Sequence, residues 1–203
     1  MARLSLLIDL QRCVGCMSCV VACKMENDVP VGVSWNNVET VGPVGQYPDT
    51  VRQYYLPHGC MHCMNPACVP VCPVGAIWRD AETGLVPLDA EACIGCGACV
   101  TACPYAARTM DPISNLPVKC TLCTQLLDEG KLPSCVKHCI AQARFYGDLD
   151  DPDSDSARYL AEPGSSRELH LMESQGTGPS VAYLEPAVGM LSADVPLTLT
   201  QGL

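Results

Sequence analysis

Cys13, Cys16, Cys19 and Cys23 have the spacing C-x2-C-x2-C-x3-C, and Cys93, Cys96, Cys99 and Cys103 repeat it. Two further groups, Cys60, Cys63, Cys68, Cys72 and Cys120, Cys123, Cys135, Cys139, also open on CxxC and close on CxxxC. Four thiolates hold one cubane 4Fe-4S cluster, so the sixteen cysteines of this 203-residue chain provide for four clusters with none left over. Iron held by all sixteen would make a series of one-electron centres, a chemistry suited to carrying electrons.

In bacterial two-cluster ferredoxins the first three cysteines of a motif hold one cluster and the fourth crosses to the other. Pro73 and Pro104 follow Cys72 and Cys103, whereas Lys24 and Ile140 follow Cys23 and Cys139. These CP pairs mark groups two and three as partners and leave one and four as the other pair. Spacing by itself leaves the pairing open, because the gap between groups three and four is also short. The expected ligand sets are Cys13, Cys16, Cys19 and Cys139 for cluster one, and Cys23, Cys120, Cys123 and Cys135 for cluster two. Cluster three takes Cys60, Cys63, Cys68 and Cys103, and cluster four takes Cys72, Cys93, Cys96 and Cys99.

Other chemistries fit less well. Zinc sites also use paired CxxC motifs, but they do not usually repeat C-x2-C-x2-C-x3-C or carry CP dipeptides. A disulfide framework belongs to small secreted domains, and no signal peptide is visible: Leu4 to Leu10 is too short for one and is interrupted by Asp9. With every ligand position filled by cysteine, His58, His62, His138 and His170 are not needed as ligands. His62 and His138 are expected to hydrogen-bond around the centres or to lie on the surface. There is no nucleophile beside a base, no phosphate loop and no dinucleotide fingerprint, so no catalytic residue is expected. The acidic run Asp148, Asp150, Asp151, Asp153, Asp155 lacks the Gly and Glu spacing of a calcium loop and reads as a solvated turn.

Composition agrees with metal centres standing in for part of a core. Aromatics make up only 5% and Phe145 is the sole phenylalanine, while the 48% apolar fraction leans on Cys, Val, Ala and Leu. The net charge of -10 argues against nucleic acid as a partner. Cluster and thiolates together are also negative, which singles out Lys24, Arg108, Lys119 and Lys137 as cations near the motifs. No apolar stretch reaches the ~20 residues of a membrane-spanning helix, so no direct membrane insertion is expected.

The elements that must position these cysteines repeat with them. Aligning Cys13 with Cys93 brings Ile8 onto Leu88, Asp9 onto Asp89 and Gly15 onto Gly95. Aligning Cys135 with Cys68 brings Ala143 onto Ala76 and Phe145 onto Trp78, giving the order A, B, A, B. Each unit reads as a short strand, a cysteine loop, a short helix carrying the last cysteine, then a turn and another strand. Ala76 to Arg79 and Leu85 to Leu88 flank a turn at Asp80 to Gly84 and read as a hairpin or linked strand pair. The expected fold is α+β: two pseudo-symmetric bacterial-ferredoxin-like modules with long loop insertions and an irregular C-terminal tail. Residues 1–26 plus 112–150 form the module of clusters one and two, and 59–111 that of clusters three and four. Residues 27–58 form a partner-facing insertion, Asp111 to Val118 a short linker, and 151–203 an extended tail.

The chain resembles the iron-sulfur (beta) subunits of the dimethyl sulfoxide reductase superfamily. The resemblance runs through LLIDLQRCVGC from Leu6, CKMEN from Cys23, CVPVCPVGAI from Cys68, CIGC from Cys93, CPY from Cys103, KCTLC from Lys119 and GDLDDP from Gly147. It covers about residues 1–155, with an echo from Gly176 to Leu184. It implies four 4Fe-4S clusters, with groups one and four paired and groups two and three paired. It also implies a large catalytic partner carrying a molybdenum or tungsten bis-pterin cofactor, with cluster one nearest that partner. Many members add a membrane anchor that exchanges electrons with quinone. The segment between groups three and four is shorter here than in several members, leaving less surface for an anchor and fitting a soluble heterodimer. The implied location is a membrane-associated complex, either periplasmic by co-export with the catalytic subunit or cytoplasmic.

The leading expectation is therefore a non-catalytic electron-transfer subunit of an anaerobic oxidoreductase. A free-standing polyferredoxin shuttling electrons among several enzymes is the alternative. A metal-stabilised scaffold without redox function is a third reading.

Overall fold

The structure is a computed structural model, and it describes residues 4–162 and 168–184. It is a mixed α and β architecture whose helices are few and short. The central strand β1 (Leu4–Asp9) carries four apolar residues with Ser5 and Asp9, and is buried from Ser5 to Asp9. It pairs antiparallel with β6 (Arg144–Asp148), from Leu4 opposite Asp148 to Ile8 opposite Arg144. On its other edge it pairs in parallel with β8 (Ala182–Leu184), which in turn pairs with β7 (Glu168–Leu169).

Successive side chains of a strand point to opposite faces, and β1 uses both. Leu6 and Ile8 join the main core with Tyr54, Leu56, Met61, Leu122 and Tyr183. Leu7 faces the other way, onto Ala182 and Leu184, where Phe145 and Tyr159 also pack. Helix α5 (Asp155–Leu160) covers this second face, its first turn capped by Ser154 Oγ accepting from the Ala157 amide. Phe145 and Tyr159 stack with ring centroids 3.8 Å apart. Thiols belong to the core itself: Cys19, Cys63 and Cys135 lie in the main cluster, and Cys68 and Cys99 lie with Ile77 and Val86.

Three expectations are corrected. The insertion at 27–58 is not a loop; most of it is an antiparallel ribbon of β2 (Asn36–Val44) and β3 (Arg52–Gly59). Its inward residues Tyr54 and Leu56 are buried in the main core, and Gly42, Pro43, Gly45 and Pro48 fall at its irregular tip. The tail is not irregular throughout: among its described residues, Ala182–Leu184 forms a strand beside β1, with Ala182 and Tyr183 fully buried. Residues 163–167 and 185–203 of the expected tail lie outside the described residues. The segment after Asp111 is no plain linker, because β4 (Thr109–Met110) and β5 (Pro117–Val118) close it as a hairpin. Across the turn at Asp80 to Gly84 the strand pair reduces to one bridge, Ile77 opposite Leu88.

The short helices also differ from expectation. They carry the third cysteine of a group: Cys19 in α1 (Ser18–Glu26), Cys99 in α2 (Ala98–Thr101) and Cys135 in α4 (Ser134–Lys137). Only α1 is long enough to carry the fourth as well, placing Cys19 and Cys23 one turn apart on its buried side. Helix α3 (Thr124–Asp128) begins directly after Cys123. Among the described residues no helix is long and apolar enough to cross a membrane.

Candidate metal centres

All sixteen cysteines are free thiols. Cys13, Cys16, Cys19 and Cys139 line one cavity, together with Gly15 and Arg144. Cys60, Cys63, Cys68 and Cys103 line a second, with Tyr105 and Arg108. A third is lined by Cys23, Cys120, Cys123 and Cys135, and Cys60 reaches its wall. Around the remaining group, Cys72 packs against the buried pair Cys68 and Cys99, and Cys99 feels the charge of Cys93. Cys16 and Cys96 are exposed. Among the described residues no three His, Cys, Asp or Glu side chains are arranged to hold a single metal ion; the thiols line cavities.

Local backbone is organised around the sulfurs. Gly15 takes φ +66°, a conformation a β-carbon penalises, and its amide hydrogen-bonds Cys13. Leu122 N donates to Cys120 Sγ and Ala143 N to Cys139 Sγ, each at 3.3 Å. Asn27 Nδ2 lies 3.7 Å from both Cys23 Sγ and Cys123 Sγ. At Cys72 slight desolvation raises the thiol pKa, but the amides of Val74, Gly75, Ala76 and Ile77 outweigh it together and the net shift is downward. Burial pushes the Cys23 and Cys63 thiols up to about 12, and raises Cys120 and Cys135. Donors aimed at buried sulfurs stabilise thiolates, and metal binding expels the protons such thiols otherwise keep. Four cysteines about one cavity, with amides directed at sulfur, are a donor set that fits a 4Fe-4S centre.

The histidines lie around these sets without joining them. His62 is buried and its Nδ1 accepts from Val86 N at 3.1 Å. Burial and the Arg144 guanidinium push His58 down to about 4, so its 3.0 Å contact with Glu39 is a neutral imidazole donating to a carboxylate, not an ion pair. His138 contacts the Ser134 carbonyl and hydroxyl from an exposed position, and His170 contacts the Val181 carbonyl.

The expected cations divide. Arg108 is 1% exposed and donates to Cys68 Sγ at 3.3 Å. Lys119 is buried and donates to the Cys120 carbonyl at 2.8 Å. Lys24 donates to the Pro30 and Val33 carbonyls, fastening the start of the ribbon, while Lys137 is exposed. The sequence reading missed Arg144, buried and lining two cysteine cavities. Its signal was available, since Arg108 and Arg144 are each the fifth residue after the last cysteine of their group. Also missed was the tail's reach: Met64 N donates to Gly178 O at 2.7 Å, Asn65 N to Thr177 O at 2.8 Å and Ser180 N to Met61 O at 2.9 Å.

These features define a ferredoxin-like iron-sulfur protein, and residues 51–149 and 12–76 each match a family model described as a 4Fe-4S dicluster domain. The B subunit of tetrathionate reductase from Salmonella typhimurium is 42% identical, covering 90% of this chain and 72% of that protein. The B subunit of sulfite dehydrogenase from Allochromatium vinosum is 40% identical, covering 91% and 83%. The B subunit of selenate reductase from Mesobacillus selenatarsenatis is 38% identical, covering 88% and 70%. The chain belongs to the family of iron-sulfur B subunits of the dimethyl sulfoxide reductase superfamily, and is an electron-transfer protein carrying 4Fe-4S clusters.

Proposed function

We propose that the chain holds four 4Fe-4S clusters on the ligand sets read from the sequence and relays electrons for a large molybdenum or tungsten bis-pterin catalytic subunit. Residues 1–26 with 112–150 carry clusters one and two, and 59–111 carry three and four. The observation that supports this most is the mixed origin of the cavity walls. Cys139 completes the cavity of group one, Cys103 that of group two, and Cys23 that of group four. Walls built from distant groups fit the crossing ligation of two-cluster ferredoxins, in which the fourth cysteine of a motif serves the other cluster.

The chain itself is non-catalytic, its cysteines all being used as ligands, and substrate chemistry belongs to the partner. The relatives named above are subunits, which supports this reading over a free-standing polyferredoxin. The far end of the relay exchanges electrons with a membrane anchor or a soluble donor, in a membrane-associated complex. Purified without oxygen, the chain is expected to contain about sixteen iron atoms and sixteen labile sulfides. Zinc without charge-transfer absorption overturns the cluster assignment. Isolation without a large subunit, from cells that make both, overturns the partner.

A further inference from the structure

We propose that Arg108 and Arg144 are positioning residues for the two cluster pairs, each guanidinium supplying one fixed positive charge shared by both centres of its module. This deepens the function proposed above and rests on its ligand sets. Arg144 is 5% exposed and lines both the cavity of Cys13, Cys16, Cys19, Cys139 and that of Cys23, Cys120, Cys123, Cys135. Arg108 is 1% exposed, lines the cavity of Cys60, Cys63, Cys68 and Cys103, and donates to Cys68 Sγ at 3.3 Å.

Neither guanidinium makes an ion pair with a carboxylate among the described residues. Arg144 Nη2 is held by the neutral Asn36 Oδ1 at 2.8 Å. Arg108 Nη1 is buried with no hydrogen-bond partner among the described residues. Removing a cation from water without a counter-charge is strongly unfavourable, so the negative charge must come from the sulfur sets. Burial works against the charge on both arginines, and the nearby thiolates outweigh it: Cys135 and Cys19 at Arg144, Cys68, Cys60 and Cys99 at Arg108. In each case those sulfurs belong to both ligand sets of one module.

The two positions correspond. Each arginine is the fifth residue after the crossing cysteine of the second motif in its pair, Cys103 or Cys139. Local charge and hydrogen bonds to sulfur set cluster potentials. A buried cation between two centres favours their reduced states and lessens the repulsion when both are reduced.

The test is redox titration followed by electron paramagnetic resonance on the anaerobically purified chain with its catalytic subunit. Arg144→Gln is expected to lower the potentials of the first two centres and Arg108→Gln those of the other two. The expected shift is at least tenfold in the reduction equilibrium, equivalent to about 59 mV for a one-electron couple. The lysine variants R144K and R108K are expected to retain most of the native potential. Glutamine variants with full iron and unchanged potentials overturn the proposal. If the glutamine variants fail to load iron, the lysine variants decide. Loaded centres with near-native potentials support charge compensation, and loss of iron there too overturns it, since the planar fork is then what the site needs. Iron content of the unaltered chain separately tests the ligand sets.

Discussion

Cys60 and Cys120, from groups two and four, line one cavity, where burial raises the Cys120 thiol and the charge of Cys60 adds to that rise. In the proposed assignment Cys60 belongs to cluster three and Cys120 to cluster two, so this contact is where the two modules meet. Lys119 and His62 stand beside it, both buried. Centres this close are expected to couple magnetically: with both reduced, their resonance signals broaden and split. Cys60→Ala should remove the coupling along with cluster three, and signals that stay sharp in the fully reduced, unaltered chain would reject the junction.

The proposed crossing ligation gives replacement of Cys103 an unusual signature. Its thiol lines the cavity of Cys60, Cys63 and Cys68, although its sequence neighbours are Cys93, Cys96 and Cys99. Cys103→Ser is expected to lose or convert cluster three while sparing cluster four. Spectroscopic counting of the remaining centres checks this. Loss of cluster four alone would refute the interleaved pairing.

Gly15 and Tyr55 show how the ribbon constrains a cysteine loop. A β-carbon on Gly15 would lie 2.5 Å from the Tyr55 ring, at a residue already at φ +66°. Gly15→Ala should cost about 1–3 kcal/mol for the left-handed backbone alone, plus displacement of the ring, and should weaken iron retention at Cys13, Cys16, Cys19 and Cys139. Gly130→Ala is the control: φ is +70° but nothing lies within 4 Å of the added carbon. Equal loss of thermal stability in the two variants would show that the ring contributes nothing.

The cysteine spacing made the chemistry legible because a cubane dictates ligand number and local backbone almost independently of the rest of the chain. The A, B, A, B repeat and the CP marks were legible for the same reason. The ribbon was not, because Pro43, Gly45 and Pro48 drew attention to a loop while Tyr54 and Leu56 carried the strand signal behind them. The tail was missed because its acidic composition concealed a three-residue strand, Ala182–Leu184, whose partner β1 lies at the other end of the chain. Arg144 was missed because the signal is an offset from Cys139 that gains meaning only beside the same offset at Arg108.

In the proposed division the tail segment touches both modules at once. Tyr183 is fully buried beside Ile8 and donates to the Pro57 carbonyl at 3.0 Å, while Thr177 meets Tyr105 at 2.5 Å beside the thiol of Cys63. Tyr183→Phe removes one hydrogen bond and should cost about 1 kcal/mol. Tyr183→Ala opens a cavity against Leu6, Ile8 and Leu56 and should cost about 3–5 kcal/mol. Exposed Glu173→Ala should stay within about 0.5 kcal/mol of the unaltered chain. Thermal unfolding of the iron-loaded protein orders the three. Because the strand bearing Tyr183 is hydrogen-bonded to β1, which leads directly into Cys13, the alanine variant should release iron from the first module before the second; simultaneous release would mean that the strap holds the two modules as one cooperative unit.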